Sequence, residues 1–203
     1  ETTASLLNWT WYLLSQHPDV RRRVSDELDR MQRNAAPSMD DLAKYPYLRQ
    51  VIEESLRLYP PLWLMTRRAI QDDWLDEFFV PAGTEIYISP YLLQHSPHLW
   101  ELPEKFDPDR MAPDATAGCH ELATCPFGAG PRNCIGETFA RAESQIHFMI
   151  IAKELLLEYE NPTPPEMTTG MNLLSKHDFI MQPTLRDSAS AQPFARNAGI
   201  SAS

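Results

Sequence analysis

No glycine occurs before Gly83, whereas eight of the 18 prolines fall between residues 81 and 131 (Pro81, Pro90, Pro97, Pro103, Pro108, Pro113, Pro126, Pro131). Proline breaks ladders and glycine loosens the backbone, so the chain is expected to change from helices to irregular coil near residue 81. In the first part, Thr3, Leu6, Leu7, Thr10, Leu13 and Leu14 recur at helical spacing. A second helix is expected after Pro18, with Val20, Val24, Leu28 and Met31 on one face. Ser38 followed by Asp41 reads as a helix start after a loop at 34–38. The helix it opens is expected to run to Tyr59, with Leu48, Val51, Ile52, Ser55 and Leu56 as its stripe and Pro60-Pro61 as its stop.

Beyond that point, "WLDEFFV" and "TEIYIS", joined by the turn signal "PAG", read as strands of a small sheet. A last long helix is expected from about Cys134, with Phe139, Ala142, Ile146 and Met149 along it, and "DFIMQPTL" reads as another strand. The expectation is one mainly α domain with small β-sheets (α+β) over residues 1–186. Residues 187–203, rich in Ser and Ala, read as a disordered tail.

Composition removes several function classes. The formal net charge of -10, from 18 Lys plus Arg against 28 Asp plus Glu, and the lack of a basic stripe argue against a nucleic-acid partner. Cys119, Cys125 and Cys134 are too few and too clustered for a secreted disulfide framework, so a reducing compartment is expected. Residue 1 is Glu and the chain opens directly in helical periodicity, so an N-terminal part, with any anchor or targeting signal, is expected upstream.

Three of the seven glycines (Gly128, Gly130, Gly136) crowd around Cys134 in "PFGAGPRNCIGETFA". Such backbone freedom suits a tight loop against something flat. A cysteine at a helix start beside Arg132 sits in a positive field that favours the metal-binding thiolate. A glycine-rich turn around a structural cysteine is the alternative that these residues leave open.

Phe127, Gly130, Arg132, Cys134 and Gly136 match position for position the haem-loop signature F-x-x-G-x-R-x-C-x-G, and the chain thereby resembles the cytochrome P-450 family. The resemblance implies haem b (iron protoporphyrin IX) with Cys134 as proximal iron ligand, Phe127 packed beside the sulfur, Gly130 allowing the turn and Arg132 holding a propionate. Arg67 stands where family members often place a second propionate-binding arginine. "EESLRLYPP" resembles the family's E-x-x-R helix and "FDPDR" its meander segment, which implies a buried structural network of Glu54, Arg57 and Arg110. Taken alone, Glu54 and Arg57 could equally be a surface pair three residues apart. "ETT" resembles the acid-alcohol end of the family's central helix, which implies that Glu1 and Thr2 lie over the distal face and deliver protons to dioxygen. His95 falls where many members have a His-Arg pair, with Ser96 in place of the arginine. By family position, Trp63, Leu64, Met65, Met171 and Leu173 would give an apolar substrate lining.

The resemblance covers the chain to about Leu185 and implies the C-terminal part of a cytochrome P-450 fold. The implied activity is insertion of one oxygen atom from dioxygen into a hydrophobic small molecule, with electrons from a redox partner of reductase or ferredoxin/flavodoxin type. A cytoplasmic location is the expectation, with an upstream membrane anchor left open. Two alternatives stand beside this reading: a non-catalytic truncated remnant of such an enzyme, and a zinc module using Cys119, His120, Cys125 and Cys134.

Overall fold

A computed structural model describes residues 1–31, 36–117, 120 and 122–186. Its helices are α1 (Thr2–Gln16), α2 (Pro18–Leu28), α3 (Pro46–Leu58), α4 (Pro90–Gln94), α5 (Pro113–Thr116) and α6 (Glu137–Glu154). Its strands are β1 (Met65–Arg68), β2 (Asp73–Leu75), β3 (Phe78–Val80), β4 (Glu85–Ile88), β5 (Leu155–Tyr159), β6 (Met167–Thr169), β7 (Leu173–Ser175) and β8 (Met181–Leu185). They pair as four antiparallel two-stranded sheets, β1 with β4, β2 with β3, β5 with β8 and β6 with β7. The mainly α, small-sheet architecture is the expected one. No described helix is long and apolar enough to cross a membrane.

Proline sets the helix boundaries. Pro18 restricts His17 and opens α2, and Pro46 does the same after Tyr45 for α3, since a first-turn proline forfeits only an orphan N–H. The core joins Leu6, Leu13 and Leu14 of α1, Val24 and Leu28 of α2, Leu48, Val51, Ile52 and Leu56 of α3, and Phe148 and Met149 of α6. Burying each such side chain is worth about 1.5–3 kcal/mol. Helix α1 is buried on opposite sides: Trp9 stacks on Tyr59 at 4.0 Å, while Trp11 packs on Phe148 at 4.7 Å. Glu27 of α2, itself buried, accepts the Tyr47 and Leu48 N–H groups at 3.0 and 2.8 Å and so caps α3 with an anion.

Three sequence expectations are corrected, and a fourth is borne out with an unforeseen partner. Ser38 and Asp41 do form a capping box, but on a separate 3-10 turn, Met39–Lys44, because Pro46 prevents one continuous helix to Tyr59. "WLDEFFV" folds on itself as the β2–β3 hairpin, turning at Asp76, whose φ of 53° supplies the reversal, while β4 pairs with Met65–Arg68, a stretch without strand periodicity. Helix α6 begins at Glu137, later than the expected start near Cys134, and Phe139 on its periodic stripe is 71% exposed. "DFIMQPTL" supplies β8, whose partner Leu155–Tyr159 continues straight out of α6 and was not foreseen. The tail at 187–203 and the loop residues at 32–35 lie outside the described residues, as does Cys119.

Candidate functional site

The glycine-rich loop turns back on itself between α5 and α6. Gly128 and Gly130 take φ of 79° and 71°, left-handed values that a side chain resists. The turn is closed by Gly128 N–H donating to the Cys125 carbonyl at 3.0 Å and Cys134 N–H donating to the Phe127 carbonyl at 2.9 Å. Phe127 and Cys134 are thereby fixed side by side, with the free Cys134 thiol exposed. A 3-10 turn at Gly130–Arg132 carries the arginine out of the loop. Gly136 is helical in sign, and a Cβ there would meet Cys134 Sγ at 3.8 Å, an ordinary contact. Behind the loop the Arg141 guanidinium lies 4.8 Å from the centre of the Phe127 ring and pairs with Glu53 and Glu137. Burial, with Arg49 nearby, pulls its pKa down to about 10, so it stays charged at neutral pH.

Cys134 and Phe127 line two adjoining cavities. One, of about 320 Å³, lies between the start of α1 (Thr2, Thr3, Leu6), the end of α3 (Leu56) and the first turn of α6 (Phe139, Ala140). The other, of about 640 Å³, opens toward β1 and is lined by Leu64, Met65, Arg67, Arg68 and Arg132. Thiol, apolar walls and two or three guanidiniums thus border one continuous surface. A flat apolar group that carries carboxylates and a thiophilic metal fits this donor set, because guanidinium forks pair with carboxylates. Arg132 has no ion pair or hydrogen bond among the described residues, and Arg67 donates only to its neighbour's carbonyl, that of Thr66, so both forks are available.

Glu1 does not share this surface. It precedes α1, accepts a hydrogen bond from Asn172 Nδ2 at 3.2 Å and lines a different cavity with Ser5, Asn8, His177 and Asp178. Of the acid-alcohol pair, Thr2 alone borders the Cys134 cavity. The five expected lining residues also divide. Leu64 and Met65 border the cavity. Trp63 instead ties the α3–β1 connection to the β6–β7 turn, its indole N–H donating to the Gly170 carbonyl at 3.0 Å. Leu173 is 2% exposed, donates its N–H to the Pro61 carbonyl at 2.8 Å and accepts from Ser5 Oγ, so it is core. Met171, 87% exposed at the tip of the turn, touches neither cavity.

Glu54 and Arg57 are wholly buried, and Arg57 Nε and Nη2 each donate to the carboxylate at 2.8 Å. Arg110 Nε stands 3.0 Å from Glu54 Oε1, off the hydrogen-bond line, so that contact is one of charge. Asp107 N–H also donates to Glu54. Burial nevertheless pushes the Glu54 carboxyl up against the pull of both guanidiniums. The three residues come together as the resemblance implied.

Sequence reasoning missed Gln94, a fully buried side chain that bonds Leu56, Arg57 and Cys125, and Thr3, Leu56 and Phe139 as cavity walls. Helical periodicity marked Leu56 and Phe139 only as positions on a helix stripe. His95 is half-buried, its Nδ1 2.8 Å from the Tyr91 carbonyl, with burial pulling its pKa down, and it borders neither cavity. Among the described residues, which do not include Cys119, no group of three or more His, Cys, Asp or Glu gathers as a metal site.

The comparisons agree with this geometry. A family model described as Cytochrome P450 matches residues 1–184. The chain is 36% identical over 190 residues, 92% of its length, to the Protein LUTEIN DEFICIENT 5, chloroplastic, of Arabidopsis thaliana. It is 42% identical over 152 residues, 75% of its length, to the Cyclooctat-9-en-7-ol 5-monooxygenase of Streptomyces melanosporofaciens, and 40% identical over 160 residues, 78% of its length, to the Cytochrome P450 4V2 of Rattus norvegicus. Those alignments cover 32%, 33% and 30% of the three relatives, so the chain spans about a third of the length of the curated relatives it matches. With the loop, the charge network and the thiol-bearing cavity in family order, the chain belongs to the cytochrome P450 family.

Proposed function

We propose that this chain is the thiolate-bearing part of a haem-dependent monooxygenase that inserts one oxygen atom from dioxygen into a hydrophobic small molecule. The observation that carries this reading is the position of Cys134: its free thiol borders both the apolar cavity under α1 and the arginine-lined cavity beside β1. The lining fits haem b: Cys134 would hold its iron, Arg67 and Arg132 would pair with its carboxylates, and Phe127 and Phe139 would pack against its apolar body. Bound there, the haem supplies the redox chemistry, with thiolate donation tuning the iron.

The chain's residues do the rest. The loop hydrogen bond from Cys134 N–H to the Phe127 carbonyl holds the sulfur toward the cavity. Thr2, on the opposite wall, offers a hydroxyl that accepts and passes a proton. Glu1 is bonded to Asn172 and borders a separate cavity, so of the acid-alcohol pair Thr2 is the member on this wall. Leu6, Leu62, Leu64 and Met65 exclude bulk water and favour an apolar substrate. Electrons come from a redox partner of reductase or ferredoxin/flavodoxin type. The name of the Streptomyces relative, a monooxygenase, supports the reaction class.

The test uses ferrous carbon-monoxide spectra of the full-length protein. Cys134→Ser and Cys134→His are expected to lose the thiolate band, and Cys119→Ser and Cys125→Ser to keep it. An unchanged band in the Cys134 variants overturns the assignment.

A further inference from the structure

We propose that Gln94 is a positioning residue that couples the buried Glu54–Arg57–Arg110 network to the Cys134 loop. Gln94 closes α4 with no exposed surface, yet both of its amide hydrogens and its amide oxygen are bonded across the chain. Its Nε2 donates to the Leu56 carbonyl at 3.1 Å and the Arg57 carbonyl at 2.9 Å, two of the acceptors that the end of α3 leaves without a helical partner. Its Oε1 accepts the Cys125 N–H at 3.1 Å, and its own main-chain carbonyl accepts Arg57 Nη1 at 2.7 Å.

From Cys125 the chain of bonds continues into the loop. The Cys125 carbonyl accepts from Gly128 N–H, and the Phe127 carbonyl, next along, accepts from Cys134 N–H. One amide therefore joins the residue that anchors the charge network, Arg57, to the segment that sets the height of the thiol. An amide suits the place because two carbonyls and one N–H converge there. A carboxylate matches only the N–H, and an alkyl group matches none of the three. Gln94 borders neither cavity, so it acts through the loop and not on a ligand.

This inference rests on the haem-thiolate reading only in its last step, so the test has two readouts. Amide hydrogen exchange of Cys125, Gly128 and Cys134 in the full-length protein follows loop order without reference to haem. The fraction of ferrous carbon-monoxide complex with a thiolate band follows the ligand itself. In Gln94→Leu, exchange at the three amides is expected to rise about tenfold, the factor one lost hydrogen bond of ordinary strength carries, and the thiolate fraction to fall. Gln94→Glu keeps an acceptor for Cys125 N–H, so its three loop amides and its thiolate fraction are expected to stay closer to the parent than those of Gln94→Leu. A purely packing role predicts the reverse order, because leucine fills the space without burying a charge. That reverse order, or loop exchange unchanged in Gln94→Leu, overturns the proposal. If Gln94→Leu does not accumulate, the Gln94→Glu comparison with the parent still decides: loss of Cys125 protection there overturns it. Failure of the parent to show any thiolate band sinks the haem reading and leaves the exchange result to judge Gln94.

Discussion

Removing the Glu54 side chain is the most demanding single test of this fold. Its carboxylate, with no exposed surface, takes two N–H bonds from Arg57, one from Asp107 and the charge of Arg110. In Glu54→Ala, Arg57 keeps its bonds to the Gln94 and Lys105 carbonyls but remains a fully buried cation with no counter-charge. Breaking a buried pair in this way costs about 3–5 kcal/mol. A single domain holds about 5–15 kcal/mol in all, so much of the stability goes at once. The half-exposed pair Arg23–Asp109, at 2.7 Å, supplies the internal control: Asp109→Asn is expected to cost no more than about 1 kcal/mol. Equilibrium urea unfolding of the full-length protein and both variants measures the difference. The pH dependence is a second readout. Because burial raises the folded Glu54 carboxyl above its ordinary 4.5, the proton-linked part of the stability, separate from the pair's own contribution, is present at acid pH and declines as pH rises through the folded value. Glu54→Gln removes that decline. A Glu54→Ala protein within about 1 kcal/mol of the parent refutes the argument, since that is the worth of an exposed pair.

Thr2→Ala is expected to leave haem content and substrate affinity intact while less product forms per reducing equivalent consumed, with the shortfall appearing as peroxide. Unchanged coupling removes Thr2 from the proton path. His147 accepts the Trp11 indole N–H on Nε2 at 3.0 Å, which requires that nitrogen to be unprotonated, and burial holds its pKa below the ordinary 6.5. A depressed folded pKa means that its contribution is present above 6.5 and is lost as pH falls from there toward the folded value. Melting temperatures between about pH 8 and 5 are therefore expected to fall less steeply in His147→Gln, which keeps an acceptor and does not titrate; equal slopes count against this.

What the sequence shows plainly is what a local run of residues decides. Pro18 and Pro46 fix helix starts by their own chemistry, and five fixed positions within ten residues mark the Cys134 loop whatever packs around it. Glu54 and Arg57 are legible as a pair, but their burial is not, because the same spacing on a surface helix looks identical. Long-range pairing leaves the least trace. Met65–Arg68 finds β4 across the whole β2–β3 hairpin, and its Met-Thr-Arg-Arg carries no alternation to announce a strand. Leu173, expected to line a cavity, and Phe139, placed only on a helix stripe, were not located by sequence for a related reason. Apolar character alone does not say whether a residue faces a core or a cavity, and the Leu173–Pro61 backbone bond decides the first of them.

The coil between α4 and α6 explains why so many polar side chains are buried near the site. A proline-rich stretch cannot satisfy its own backbone with a ladder, and each buried unpaired carbonyl or N–H costs about 1–3 kcal/mol. Side chains from elsewhere supply the partners. Arg110 reaches the Glu101, Leu102 and Lys105 carbonyls, Arg57 the Gln94 and Lys105 carbonyls, Glu54 the Asp107 N–H, Gln94 the Cys125 N–H, and Trp100 the Ala123 carbonyl. A planar fork or amide that serves several backbone groups at once is what irregular chain requires. Lysine, with one point of charge, does not replace arginine there. On this argument the E-x-x-R pair stands where a sheet or helix would otherwise hold the backbone, and the irregular chain so held is what frees the Cys134 loop to present its thiol.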